Sequence, residues 1–231
     1  MISLLQQYGY KGFLAAGALS IIALTLWRRQ KYGLSMLSAV CFSMLLIITG
    51  TLGAKLLSFA KSGFTSFNGM AFYGSIFLNL LLVPLFGLPF RMKPAQSWDL
   101  SAPAAALLIS CFRFGCYCAG CCGGVLCTIG SFTFRWPAQM LESFGDMVLT
   151  VILLRLEGKE ICRGLLHPIF LVSYGSMRFV IEWMRDMPEL ILGLSEGHWN
   201  SLLSILIGVV WLFVHRKITR KRQKVSPDQK A

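Results

Sequence analysis

Long apolar runs broken by short polar connections dominate this chain. A helix needs about 20 predominantly apolar residues to cross hydrocarbon. Seven stretches meet or approach that length: 10–27, 34–54, 70–89, 100–115, 138–156, 164–184 and 199–215. The fourth is short and runs straight into a cysteine-rich segment, so it is expected to end in a re-entrant or interfacial loop. The pattern predicts an all-α integral membrane protein of about seven transmembrane helices with a small external head. A single polytopic domain over 1–224 is followed by a polar cytoplasmic tail at 225–231.

Composition agrees with that pattern. Of 231 residues, 55% are hydrophobic and 14% charged, and the mean hydropathy is +0.65, too apolar for an ordinary soluble domain. A net charge of +12 would suggest nucleic acid in a soluble protein, but here it reports topology, and no nucleic-acid partner is expected. Fifteen of the 22 Lys and Arg residues fall after the first, third and fifth stretches and in the tail. Positive-inside partitioning therefore places the C-terminus in the cytoplasm and the N-terminus outside. The 185–198 connection, with Asp186, Glu189 and Glu196, suits the external side. Lys11 is the only early base, so 10–27 reads as a retained helix rather than a cleaved signal peptide. The basic tail HRKITRKRQK reads as a topology anchor, with contact to anionic lipid as the alternative.

The informative residues are those that a lipid-facing helix should not contain, because ionisable groups inside a span are costly and turn toward a cavity or a partner. In the sixth stretch Tyr174, Arg178, Glu182 and Arg185 fall at about 0°, 40°, 80° and 20° around a helix, one narrow stripe. They could simply neutralise one another as an intrahelical ladder. That leaves one cation over, since two arginines face one glutamate, and an unpaired buried cation calls for an anionic ligand. The fifth stretch carries a companion face with Gln139, Glu142 and Asp146, preceded by Arg135 and Pro137. Arg113, Arg135, Arg178 and Arg185 are expected to converge with these carboxylates in the outer half of the bilayer, forming a pocket for a phospholipid head group.

Three blocks, RFGCYCAGCCGG at 113–124, RWPAQMLE at 135–142 and YGSMRFVIEWMR at 174–185, resemble in order and spacing the prolipoprotein diacylglyceryl transferase family. The matching positions are Arg113, Gly115, Gly120 and Gly124; Pro137, Gln139 and Glu142; and Tyr174, Arg178, Glu182 and Arg185. The resemblance implies a transferase of the bacterial cytoplasmic membrane with its site toward the outer leaflet. Such an enzyme moves a diacylglyceryl group from phosphatidylglycerol to a cysteine thiol of a prolipoprotein, the first step of lipoprotein maturation. Its partners would be phosphatidylglycerol, prolipoprotein signal peptides and membrane lipids, and it would need no cofactor. It places Arg113 and Arg178 on the head-group phosphate, with Glu182 and Arg185 holding the ribbon's geometry. Glu142 and Tyr174 would orient the glycerol or the thiol, while Gly115, Gly120, Gly124, Arg135, Gln139 and Tyr73 would contribute to substrate binding.

The chain departs from the family at informative places. Where a histidine followed by two glycines is common it has Tyr73, Gly74 and Ser75, and a tyrosine with a reference pKa near 10 is a poor base, so the general base is unassigned. Trp136 replaces another common histidine, and Cys116 and Cys121 stand at the first block's usual asparagine and glutamate, a glycine-cysteine-cysteine subtype. For the cysteines the leading reading is small, soft side chains packed among glycines, with disulfide or redox use and metal binding as alternatives. Residues His167, His198 and His215 read as boundary residues without metal-ligand spacing. The competing class is a membrane thiol-disulfide oxidoreductase, or a non-catalytic phospholipid-binding protein, on the same scaffold.

Overall fold

The computed structural model describes residues 2–66, 71–186 and 188–225. Its framework is helical: α1 (Ile2–Arg28), α2 (Met36–Lys61), α3 (Phe72–Gly87), α4 (Pro94–Cys118), α5 (Ala138–Leu156), α6 (Leu166–Glu182) and α7 (Glu196–Val225). Two short antiparallel hairpins join helices, β1 (Leu126–Ile129) with β2 (Phe132–Arg135) and β3 (Glu189–Ile191) with β4 (Leu194–Ser195). Apart from Val225, the tail expected at 225–231 lies outside the described residues.

Five of these helices, α1 to α4 and α7, are long and apolar enough to cross a membrane. The other two fall short for legible reasons: α5 carries Glu142, Asp146 and Arg155 within its 19 residues, and α6 has only 17. Both lie among the apolar helices and bear the polar stripes. The burial pattern is inverted relative to a soluble protein. Glu142 and Asp146 are fully buried, while Leu37, Leu81, Val148, Leu206 and Phe213 face outward, as lipid requires. The chain is a multi-pass membrane protein.

The expectation of a short fourth stretch is corrected. The helix α4 runs for 25 residues from Pro94, where a missing N–H costs nothing in a first turn. Its polar beginning is satisfied by neighbouring loops rather than by lipid. Asp99 accepts from the backbone N–H groups of Gly164 and Leu166, the latter at 3.0 Å, and Arg28 donates to the carbonyls of Leu100 at 2.7 Å and Asp99 at 2.9 Å. This helix is central: 61% of its apolar window is buried, against 17% for α1 and α7, and it touches α1, α3, α5 and α6. Fully buried Ala102, Ala104 and Ala106 let those neighbours approach closely. Where α2 meets α3, Gly53 and Gly74 face each other so closely that a Cβ on either would strike the other's carbonyl oxygen.

This packing sorts charge to the two ends of the bundle. At one end, the C-terminal ends of α4 and α6 meet the N-terminal ends of α3, α5 and α7. At the other, Arg28 pairs with Glu157, and Lys31 lies 3.5 Å from the same carboxylate, among the basic connections that the sequence places together.

Candidate active site

Glu142, one turn into α5, is the hub of the polar end. It has no exposed surface. Arg113, near the end of α4, brings Nε to 2.7 Å from Glu142 Oε1, while Arg178 of α6 and Arg185 lie 3.6 and 3.9 Å from Oε2. Tyr174, also wholly buried, donates from its hydroxyl to Oε1 at 3.3 Å. Glu182 is the second carboxylate, 2.6 Å from Arg178 and 3.6 Å from Arg185. The intrahelical ladder therefore exists, but it is tied across to α5 and α4.

Charge does not balance within this group, where three guanidinium groups face two carboxylates. Arg178 Nε and Nη1 and Arg185 Nε are buried without a hydrogen-bond partner among the described residues. A buried donor left unpaired costs about 1–3 kcal/mol, so donors arranged in this way suit an anionic ligand. They line an open cleft of about 210 Å³ with Tyr73, Phe112, Arg113, Cys116 and Cys122. Phe72 supports Arg113, whose Cζ lies 5.9 Å from the ring centroid.

Several expected site residues sit elsewhere. Arg135 does not converge with the other arginines: it ends β2, its side chain is 57% exposed, and its nearest acid is Asp186 at 3.9 Å. The hairpin carries it away from α5. Arg185 does converge, but not as a helical position, because α6 ends at Glu182 and a turn followed by a bridge to Gly124 returns it to the site. Asp146 is buried a turn deeper than Glu142, with neither oxygen hydrogen-bonded among the described residues. Tyr73 lines the cleft and shares a 2.7 Å hydrogen bond with Ser201.

The glycines are structural at short range. Gly120, at φ 68°, ends α4 with its N–H on the Tyr117 carbonyl, and Cys121 N–H returns to the Cys116 carbonyl at 3.1 Å, a Schellman closure. Gly124 lies where a Cβ would strike the Trp136 and Met184 carbonyls, and its close approach ties the loop to the chain at Arg185. Gly115 packs α4 on α1 near Tyr10 and Phe13. Gln139 donates to the Cys121 carbonyl at 2.7 Å, fixing the cysteine loop to α5.

Packing does not account for the cysteines as a set. Cys116 is buried, but Cys121 and Cys122 are exposed. The three sulfur atoms lie within 4.8 Å of one another, and all eight cysteines are free thiols. Cys118 lies outside this group.

Sequence reading missed the groups that hold Glu182 from behind. Ser195 Oγ donates to Glu182 Oε1 at 2.7 Å, and His198 Nδ1 accepts from Ser195 N–H at 3.1 Å, so His198, in the first turn of α7, is a satisfied boundary residue that also supports this contact. Gly197 leaves room for the carboxylate itself, since a Cβ there would overlap all three of its atoms. These residues come from the 195–198 turn, which no periodicity connects to α6. Only the small residue at Gly197 in a first helical turn hinted at close approach.

Comparison with known proteins matches this arrangement to one family. The family model described as prolipoprotein diacylglyceryl transferase matches residues 2–214. A phosphatidylglycerol–prolipoprotein diacylglyceryl transferase of Clostridium tetani is 28% identical over 89% of this chain and 92% of its own length. A second, from Clostridium perfringens, is 26% identical over 95% of this chain and 94% of its own. With the three sequence blocks folded around one cleft and the family model spanning nearly the whole length, this chain belongs to the prolipoprotein diacylglyceryl transferase family.

Proposed function

We propose that this protein transfers the diacylglyceryl group of phosphatidylglycerol to the thiol of a prolipoprotein cysteine, the first step of lipoprotein maturation. The observation that carries the reading is the convergence of three buried guanidinium groups, Arg113, Arg178 and Arg185, on one cleft where Glu142 and Glu182 are the carboxylates ion-paired with them. The relatives named for this activity support it. Positive-inside partitioning supports a cleft facing the outer leaflet of the bacterial cytoplasmic membrane, where lipid and signal peptide both arrive from the bilayer.

The chemistry fits the charge distribution. A thiolate forms a C–S bond at the glyceryl carbon while the C–O bond to phosphate breaks, and the bonding pair leaves on oxygen. The phosphate carries one negative charge as a diester and about two as the freed monoester. Cations placed on it therefore bind the leaving group more strongly than the substrate, which is the condition for acceleration. Arg113 and Arg178 hold that phosphate. Glu142 and Glu182 keep the guanidinium groups fixed, so that little reorganisation accompanies the reaction, and Tyr174 locks Glu142. Arg185 closes the ring of charge. Tyr73 and the residues beside it bound the space for the glycerol and the incoming peptide.

The test is complementation of a bacterium depleted of its own transferase, scored by lipidation of a reporter precursor from labelled phosphatidylglycerol. Lipidation that disappears with Arg178→Ala is the expected result. Absence of lipidation in a well-inserted wild-type sample overturns the assignment.

A further inference from the structure

We propose that Cys116, Cys121 and Cys122 form a zinc site whose open fourth position binds and ionises the substrate thiol. The proposal rests on the transferase reading of the cleft and goes beyond the expectation that no metal takes part.

Three observations carry it. The first is geometric. The sulfurs lie within 4.8 Å of one another, and sulfurs on a tetrahedral zinc with bonds of about 2.3 Å sit about 3.8 Å apart, so assembly requires closure of about 1 Å or less per pair. The loop is shaped for this: Gly120 and Cys122 both adopt left-handed backbone angles, φ 68° and 61°, turning Cys121 and Cys122 back toward Cys116 at the end of α4. Left-handed φ is uncommon at a non-glycine residue, and here it sits at a would-be ligand.

The second is the ligand count. Three thiols gather with no fourth His, Cys, Asp or Glu in the group among the described residues. Closed structural zinc sites take four protein ligands, whereas catalytic ones take three and leave a position for water or substrate. Cys116 and Cys122 line the same cleft as Arg113, Arg178 and Arg185, so the vacant position opens where the phosphate is held.

The third is the lack of a base. Among the described residues lining the cleft there is no histidine. Its carboxylates, Glu182 and Glu196, are paired with Arg178 and Lys61, and Tyr73 is tied to Ser201. S-alkylation needs a thiolate, and a thiol that coordinates zinc is deprotonated outright. The step balances without redox change. The substrate S–H loses its proton to water at the cleft mouth and sulfur binds zinc. A sulfur pair then forms the C–S bond as the C–O pair departs on the glycerol phosphate, and zinc remains divalent throughout.

The experiment uses the full-length protein, purified in detergent with its thiols reduced. Zinc is measured by elemental analysis, and cadmium is titrated while thiolate-to-metal absorbance is followed in the ultraviolet. One metal per chain is expected, lost in Cys121→Ser and Cys122→Ser and kept in Cys118→Ser and Cys127→Ser. Stripping the metal should lower lipidation by about 100-fold, with zinc restoring it, and residual activity of the stripped protein should rise toward the ordinary thiol range near pH 8.5. Failure of the reduced protein to bind zinc or cadmium, or full lipidation by stripped protein, overturns the zinc site and leaves the transferase reading standing. Metal bound with no lipidation by any form overturns the transferase reading, and the thiol role with it.

Discussion

Gly197→Ala is the sharpest test of how the site is held, because local and tertiary effects of this substitution have opposite signs. In the first turn of α7, alanine is the better helix former by about 1 kcal/mol, so helix propensity alone predicts a protein at least as stable. The site predicts the reverse for activity. A Cβ on Gly197 overlaps the Glu182 carboxylate, and even its farthest atom, Oε2, would lie at 2.8 Å. Ordinary contact begins near 3.4 Å, so the carboxylate must retreat by about 1 Å. It has no free direction, being held by Arg178 at 2.6 Å, Ser195 at 2.7 Å and Arg185 at 3.6 Å. Misplacing a positioned group by about 1 Å costs on the order of 100-fold in rate, or roughly 2.7 kcal/mol of barrier. Lipidation of a reporter precursor by purified protein in phosphatidylglycerol micelles should fall by about that factor, and displacing a buried, ion-paired carboxylate should lower the melting temperature as well, against the sign that helix propensity gives. Gly12→Ala is the control, since its added Cβ meets nothing within 4 Å. Wild-type turnover by Gly197→Ala would refute the claim that Glu182 is fixed from behind.

Other outcomes follow from the same geometry. Arg178→Lys keeps the charge but loses the planar fork that reaches Glu182 and faces Glu142, and should lower turnover by about 100-fold in the lipidation assay. Arg135→Ala should change turnover by less than about twofold, because an exposed arginine 3.9 Å from Asp186 contributes little; a large loss would restore it to the site. At the opposite end, Glu157→Gln should destabilise the protein in detergent by about 1–3 kcal/mol, read from its melting temperature. Burial raises the Glu157 carboxyl, but its hydrogen bonds and charge contacts with Arg28, then Tyr32 and Lys31, hold it below the usual range. Its stabilisation is therefore fully present above about pH 4.3 and lost as the pH falls below that, so the gap between wild type and Glu157→Gln should close in acid.

Sequence alone carried a good part of this protein. Apolar runs of span length specify a membrane bundle because hydrocarbon satisfies no backbone group, and the boundaries of 138–156 match α5 to the residue. The stripe of Tyr174, Arg178 and Glu182 follows from helical period alone, and the three family blocks named the cleft. What sequence could not reach was anything decided between elements. The polar start of α4 looked like loop because its partners, Gly164, Leu166 and Arg28, lie some 65 to 72 residues away. Arg135 looked equivalent to the other arginines until a hairpin carried it outward. Ser195, Gly197 and His198 acquire meaning only because α7 packs on α6, and the three thiols become a group only when the loop folds back on the end of α4. Period and composition depend on neighbours along the chain. The hold on Glu182 and the gathering of the thiols depend on neighbours in space, which only tertiary packing chooses.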